Sequence, residues 1–233
     1  MKKLLLVLIL SVIGIGASSY LYLSVLKQDI NIDGYTGQKL SYLGERKVLK
    51  KYPKEFVQQQ KERINTAINF LATEDPKSID HWLDIGIVKK TFDNYDGARD
   101  VWEYAKAVNP DHPIAYSNLA KLYGFYLNDL EKAEQNYKDA LNLDPNADYL
   151  YLGLAELYRD VIKIKQNLVD DVLLEGLKHL PGHASLMIEL AAFYKNNGEP
   201  KKAIDYYNRL LNHPYINPEQ KDSIRKEIEL LRK

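Results

Sequence analysis

The chain has 233 residues, 45% of them apolar and 27% charged, which suffices for one ordinary core with something beyond it and is far from a disordered composition. Thirty-two basic residues balance 32 acidic ones, leaving no global field to gather nucleic acid or an anionic membrane surface. The absence of cysteine excludes disulfides, thiolate metal sites, a cysteine nucleophile and lipid attachment through sulfur.

Residues 4–26 carry no charge and are bounded by Lys2, Lys3 and Lys27. At ~1.5 Å per residue the run exceeds the ~30 Å hydrocarbon core, so it predicts a tilted transmembrane helix with Tyr20 and Tyr22 toward one interface. A cleaved signal peptide is the alternative, with Gly16, Ala17, Ser18 and Ser19 as its small-residue site. Lys2, Lys3 and the α-amino group favour a cytoplasmic flank, opposed more weakly by Lys27, Lys39, Arg46 and Lys47. Residues 1–27 are therefore expected to form a single-pass signal anchor with the C-terminal domain extracytoplasmic. Under the alternative, the domain is secreted or periplasmic.

Residues 28–53 read as a linker and basic segment. Positions 28–38 hold two glycines and no helical period, and positions 39–52 are basic, with Leu40, Leu43, Val48 and Leu49 apolar. A solvated helix face accounts for that charge; contact with anionic headgroups is the other reading. Residues 54–78 predict one amphipathic helix, apolar at Phe56, Val57, Ile64, Ala67, Ile68 and Leu71 and stopped by Asp75 and Pro76, which serves as a capping helix or degenerate repeat.

From residue 79 the pattern recurs. Trp82, Tyr116, Tyr151 and Met187 supply a bulky position at separations of 34, 35 and 36 residues. One turn later come Ile85-Gly86, Leu119-Ala120, Leu154-Ala155 and Leu190-Ala191, followed by Tyr123, Tyr158 and Tyr194, with Lys89 the exception. A second helix then carries small, large and small residues, as in Ala98, Trp102 and Ala105 or Ala133, Tyr137 and Ala140. Small residues belong where two helix axes approach within ~8–10 Å. Pro110, Pro145, Pro181 and Pro214 close the units. The third unit departs most, with Val169 at a small position and a turn two residues longer at 159–167, where Ile162 and Ile164 are either exposed as a contact site or buried by an extra half-turn. Asn217, Pro218 and Gln220 predict a capped terminal helix over 218–233.

This spacing resembles the tetratricopeptide repeat, whose unit carries W-x2-L-G-x2-Y, then a small residue, an aromatic, a small residue and a proline. The resemblance implies an all-α, right-handed α-solenoid of helix-turn-helix repeats over 79–217, in four units (79–112, 113–147, 148–183 and 184–217), preceded by one transmembrane helix. It also implies that the first helices line a concave groove suited to an extended peptide or an amphipathic helix. The positions implied to face it are Leu83, Ile87 and Lys90; Ile114, Ser117 and Lys121; Tyr149, Leu152, Glu156 and Arg159; and Ser185, Ile188, Ala192 and Lys195. The family's chaperone-tail clamp, a set of lysine, asparagine and arginine residues, is not expected, because only Asn118 matches it.

No phosphate loop, serine elbow or metal-protease motif occurs. His179 and His183 are four apart but separated by Pro181 and Gly182, which denies them one helix face. Neither enzyme activity nor a cofactor or metal is expected. The expected function is a membrane-tethered scaffold for a protein or peptide partner, without nucleic acid. The alternative is a self-assembling, homo-oligomeric module or an accessory subunit of an envelope enzyme.

Overall fold

The computed structural model describes residues 32 and 34–233. The apolar run at 4–26, and with it the expected anchor, lies outside the described residues. Among the described residues the fold is all-helical without strands, and no helix is long and apolar enough to cross a membrane. The chain divides into two compact units, Met1–Val108 and Asn109–Lys233.

In the first unit, α1 (Arg46–Leu49) precedes α2 (Lys54–Thr73), α3 (Ile79–Thr91) and α4 (Tyr95–Val108). The α2 helix buries Val57, Ile64, Ala67, Ile68 and Leu71, the stripe its periodicity predicts, and it packs on α3. Helices α3 and α4 pack as a hairpin, with Gly86 set tightly against Trp102. A β-carbon there would lie 2.1 Å from Trp102 Nε1, so no larger residue fits without moving the indole. Trp102 Nε1 also donates to the carbonyl of Leu83 at 3.2 Å, tying the two helices together. The turn between them passes through Asp93 in the left-handed region (φ 57°), and Asn94 Oδ1 accepts from Gly97 N at 3.1 Å to open α4.

Residues 34–45 differ from the linker expected there. Tyr35, Leu40 and Leu43 are buried, and the segment is strapped onto α3 and α4. The ring of Tyr35 lies 5.3 Å from that of Trp82 and 5.5 Å, edge-on, from that of Tyr104. Gln38 N donates to Asp100 Oδ2 at 3.0 Å. An irregular strap has no period, and its partners lie some fifty residues away, so local pattern alone does not reveal it. Further on, the basic side chains of Arg46, Lys47, Lys50 and Lys51 are exposed while Val48 is buried, in keeping with a solvated face.

The second unit contains α5 (Pro113–Leu122), α6 (Leu130–Leu143), α7 (Asp148–Glu156), α8 (Val169–His179), α9 (Ala184–Asn196), α10 (Pro200–Leu211) and α11 (Pro218–Leu231). Helices α5 and α7 each run on into a π-helical turn, Tyr123–Leu127 and Leu157–Val161. The pairs α5–α6, α7–α8 and α9–α10 are the hairpins the repeat predicts. Gly153 plays a different part from Gly86, at the contact between repeats: a β-carbon there would lie 2.5 Å from Tyr137 Oη on the second helix of the preceding hairpin.

One hydrogen bond recurs from unit to unit. The bulky first position donates to the carbonyl of the proline six residues earlier: Trp82 to Pro76 at 2.9 Å, Tyr116 to Pro110 at 2.8 Å and Tyr151 to Pro145 at 3.0 Å. Each bond pins a helix to the loop that introduces it. Met187 has no donor to continue the series.

The long turn of the third repeat resolves into a 3-10 helix, Lys163–Leu168. It takes neither expected form completely: Ile162 is buried at 8% exposure, whereas Ile164 is 89% exposed. At the C-terminal end the predicted capping box is present. Asn217 Oδ1 accepts from Gln220 N, and Gln220 Oε1 accepts from Asn217 N, each at 2.9 Å. Ile228 is the buried contact of α11.

Candidate protein-interaction face

The first helix of each hairpin has two apolar sides. One is sealed by the second helix; the other carries the residues expected to meet a partner. In α7, Tyr149 is exposed and Leu152, Glu156 and Arg159 are partly exposed, at the three- and four-residue spacing that stacks them on one side. In α9, Ser185, Ile188 and Lys195 are exposed and Ala192 partly so. In α5, Ile114 and Lys121 are exposed. Helix α7 contacts both α5 and α9, so these rows lie on neighbouring helices. In the first unit, Ile87 of α3 is exposed and Lys90 partly exposed.

Two expected groove residues are corrected. Leu83 is only 7% exposed, on a stretch of α3 that packs against both α2 and α4. Ser117 is 5% exposed, and its hydroxyl donates to the carbonyl of Ile114 at 3.0 Å, which satisfies it within its own helix. Both are removed from the accessible set. Helical period gives the direction a side chain takes and not what packs over it.

The charges on this face are partly spoken for. Arg159 Nη1 donates to Glu189 Oε2 at 2.8 Å, bridging the first helices of the third and fourth repeats, and its remaining nitrogens meet Asp160. Lys195 Nζ pairs with Glu227 Oε2 of α11 at 2.6 Å. These pairs are exposed and weak, so a partner can exchange them at little cost. Among these charges lie three apolar side chains, Ile114, Tyr149 and Ile188, each between 38% and 42% exposed.

Two polar centres, one fully buried and one partly buried, carry no motif in the sequence. Lys89, noted only as an exception to tyrosine, is fully buried; Nζ donates to the carbonyls of Lys39 at 2.9 Å and Tyr42 at 2.7 Å and approaches Gln38 Oε1 at 3.4 Å. Burial pushes its pKa down to about 8, against the opposing attraction of Asp100. A lysine where the pattern calls for tyrosine was the available signal. Glu134 accepts from Tyr158 Oη at 2.8 Å, Lys138 at 2.6 Å and Lys165 of the 3-10 turn. Burial raises its pKa, but hydrogen bonds from Lys138, Lys165 and Tyr158 outweigh that and hold it at about 2.

The histidines stay apart. His183 Nε2 lies 3.7 Å from Asp148, His179 Nε2 lies 3.5 Å from Glu175, and His81 stacks on Phe70 at 4.0 Å while its Nδ1 meets Ser78 Oγ. Among the described residues no group of three histidine, aspartate or glutamate side chains is placed to hold a metal ion.

A family model described as tetratricopeptide repeat matches residues 114–147 and 184–212. Human protein O-mannosyl-transferase TMTC3 is 30% identical over 121 residues, which is 51% of this chain and 13% of that protein. The crystal structure of MamA superposes with a TM-score of 0.54 at 16% identity, covering 74% of this chain and 95% of that one. TTC0263, a thermophilic TPR protein of Thermus thermophilus, gives a TM-score of 0.52 at 16% identity over 75% of this chain and 94% of its own. At that identity the two structures speak for the fold.

Proposed function

We propose, for a chain that carries tetratricopeptide repeats, the role of a non-catalytic scaffold that holds an extended or helical segment of a partner protein on the free side of its first helices. The observation carrying this reading is the row Ile114, Tyr149 and Ile188, apolar side chains exposed on successive first helices and bordered by Lys121, Glu156, Arg159 and Lys195. Such a row offers a partner apolar anchors with charged flanks to set its register. The human relative's transferase name belongs to that protein, of which the match spans 13%, and is not carried over.

The uncharged run at 4–26 supports a membrane tether, with the repeat domain extracytoplasmic or, if the run is cleaved, secreted or periplasmic. A tether raises the partner's effective concentration at the membrane without adding a contact. The test is capture of partner from native membranes by tagged full-length chain, comparing wild type with Lys121→Glu, Leu152→Asp and Arg159→Glu combined. Loss of one cross-linked species is expected, and capture undiminished by the triple change refutes the assignment. Protease access to intact cells tests the topology.

A further inference from the structure

The strap on the first repeat points to a second binding site on the third. In the first repeat, residues 34–45 rest on Trp82, Lys89, Gly97, Asp100 and Tyr104. Tyr35 lies against the rings of Trp82 and Tyr104, Lys89 holds the carbonyls of Lys39 and Tyr42, and the Gln38 N–H meets Asp100. Gln38 Oε1 sits where a β-carbon on Gly97 would be, 2.3 Å away.

The repeat register carries these five positions forward by 69 residues in the first helix (Trp82 to Tyr151) and by 71 in the second (Ala98 to Val169). Their counterparts are Tyr151, Tyr158, Leu168, Asp171 and Glu175. All five line one pocket of about 370 Å³, bounded on its other side by α6. That volume falls in the range of ligand sites. The surface that carries an extended segment in the first repeat is thus an open cavity in the third.

We infer that this pocket receives an extended segment of a partner protein, an aromatic side chain set against Tyr151 and a backbone N–H donated to the Asp171 carboxylate, as Tyr35 and Gln38 do in the first repeat. The rim sets the flanking chemistry. Asp171 and Glu175 stand one turn apart on α8, while Lys138 on the opposite rim is already bound to Glu134 at 2.6 Å. Glu175 is likewise bound to Lys178 at 2.6 Å, so the free charge is the carboxylate of Asp171, and the segment carries a lysine or arginine beside its aromatic residue. Tyr158 is committed to Glu134 and replaces the lysine that grips the strap's carbonyls, so the site exchanges its occupant more readily than the first repeat releases its strap. The pocket uses the side of α7 opposite to Tyr149 and Leu152, and the inference is independent of the first-helix face.

The probe is a fluorescein-labelled peptide of sequence GYTGQKLSYLG, copied from residues 34–44, titrated by anisotropy against the full chain in detergent. Saturable binding is expected, weakened about tenfold or more by Val172→Trp, which fills the pocket, by Asp171→Lys, and by alanine at the peptide's first tyrosine. Asp171 is exposed in the first turn of α8, so Asp171→Lys loses only a surface contact with the helix dipole and still unfolds cooperatively, which separates lost binding from lost fold. Lys121→Glu leaves binding unchanged. The inference is overturned if no saturation appears up to about 1 mM, or if the pocket variants bind as wild type. It is also overturned if Asp100→Ala alone alters binding, which places the peptide at the first repeat in exchange with the strap. Self-association of the chain that Val172→Trp abolishes assigns the pocket to a second copy and equally overturns a foreign partner.

Discussion

Lys89 Nζ donates to the carbonyl oxygen of Tyr42 at 2.7 Å, joining the first repeat to a segment 47 residues earlier in the chain. This ammonium, with Asn94 Nδ2 at 2.6 Å from Gln38 Oε1 and 3.2 Å from the Tyr42 carbonyl, satisfies the inward-facing polar atoms of the strap. Lys89→Met keeps the length and apolar stem but removes the charged donor from both carbonyls, leaving that of Lys39 with Tyr42 N at 3.1 Å and that of Tyr42 with Asn94 Nδ2, at a cost of about 1.5–3 kcal/mol per charge-assisted bond lost. Hydrogen exchange at residues 38–44 should accelerate and thermal stability fall.

The pH dependence at this site has a definite sign. The folded-state pKa of Lys89, about 8, lies below that of an unfolded lysine. Between the two values the unfolded chain binds the extra proton, so Lys89 contributes a rise in stability from about pH 8 upward and none below. Subtracting the Lys89→Met profile from that of the wild type should isolate this rise.

Glu134 acts in the opposite sense. Its pKa is depressed to about 2, so its contribution is complete above the unfolded carboxylate value and is lost as the pH falls toward 2. Glu134→Gln should lower the unfolding temperature at neutral pH and speed proteolysis of the 3-10 turn at 163–168, whose Lys165 it holds. The difference from wild type should narrow from about pH 4 downward and close near pH 2. A pH-independent difference would show that the charge is immaterial.

Two tyrosines of neighbouring repeats offer a matched comparison. Tyr151 Oη has a partner, the Pro145 carbonyl at 3.0 Å, and Tyr151→Phe should cost about 0.5–1.5 kcal/mol by denaturant unfolding. Tyr137 Oη is buried with no hydrogen-bond partner among the described residues, and Tyr137→Phe should be neutral or stabilising.

Asn217 caps α11 through the reciprocal pair with Gln220. Asn217→Ala should cost about 0.5–2 kcal/mol. Removing 218–233 altogether should cost more, because Ile228 and the Lys195–Glu227 pair go with it. Apolar dye binding and a lowered melting temperature would report the uncovered face, and an unchanged melting temperature would contradict the role of α11 as a cap.

The sequence by itself determined the hairpins. Gly86 opposite Trp102, the prolines closing each unit and the Asn217–Gln220 box are relations within a few turns of chain, and helical period reads them directly. Helical period also places Tyr149 and Ile188 away from the packing positions Tyr151 and Met187, and both are exposed. Tertiary structure alone decided what covers what. Leu83 and Ser117 share the register of accessible residues yet are buried, because period reports a direction and not the neighbour standing in it. Lys89 is only an exception to the tyrosine pattern until a strap without any period supplies its acceptors, and the cavity beside Tyr151 is open because, among the described residues, nothing takes there the place that Tyr35 takes in the first repeat.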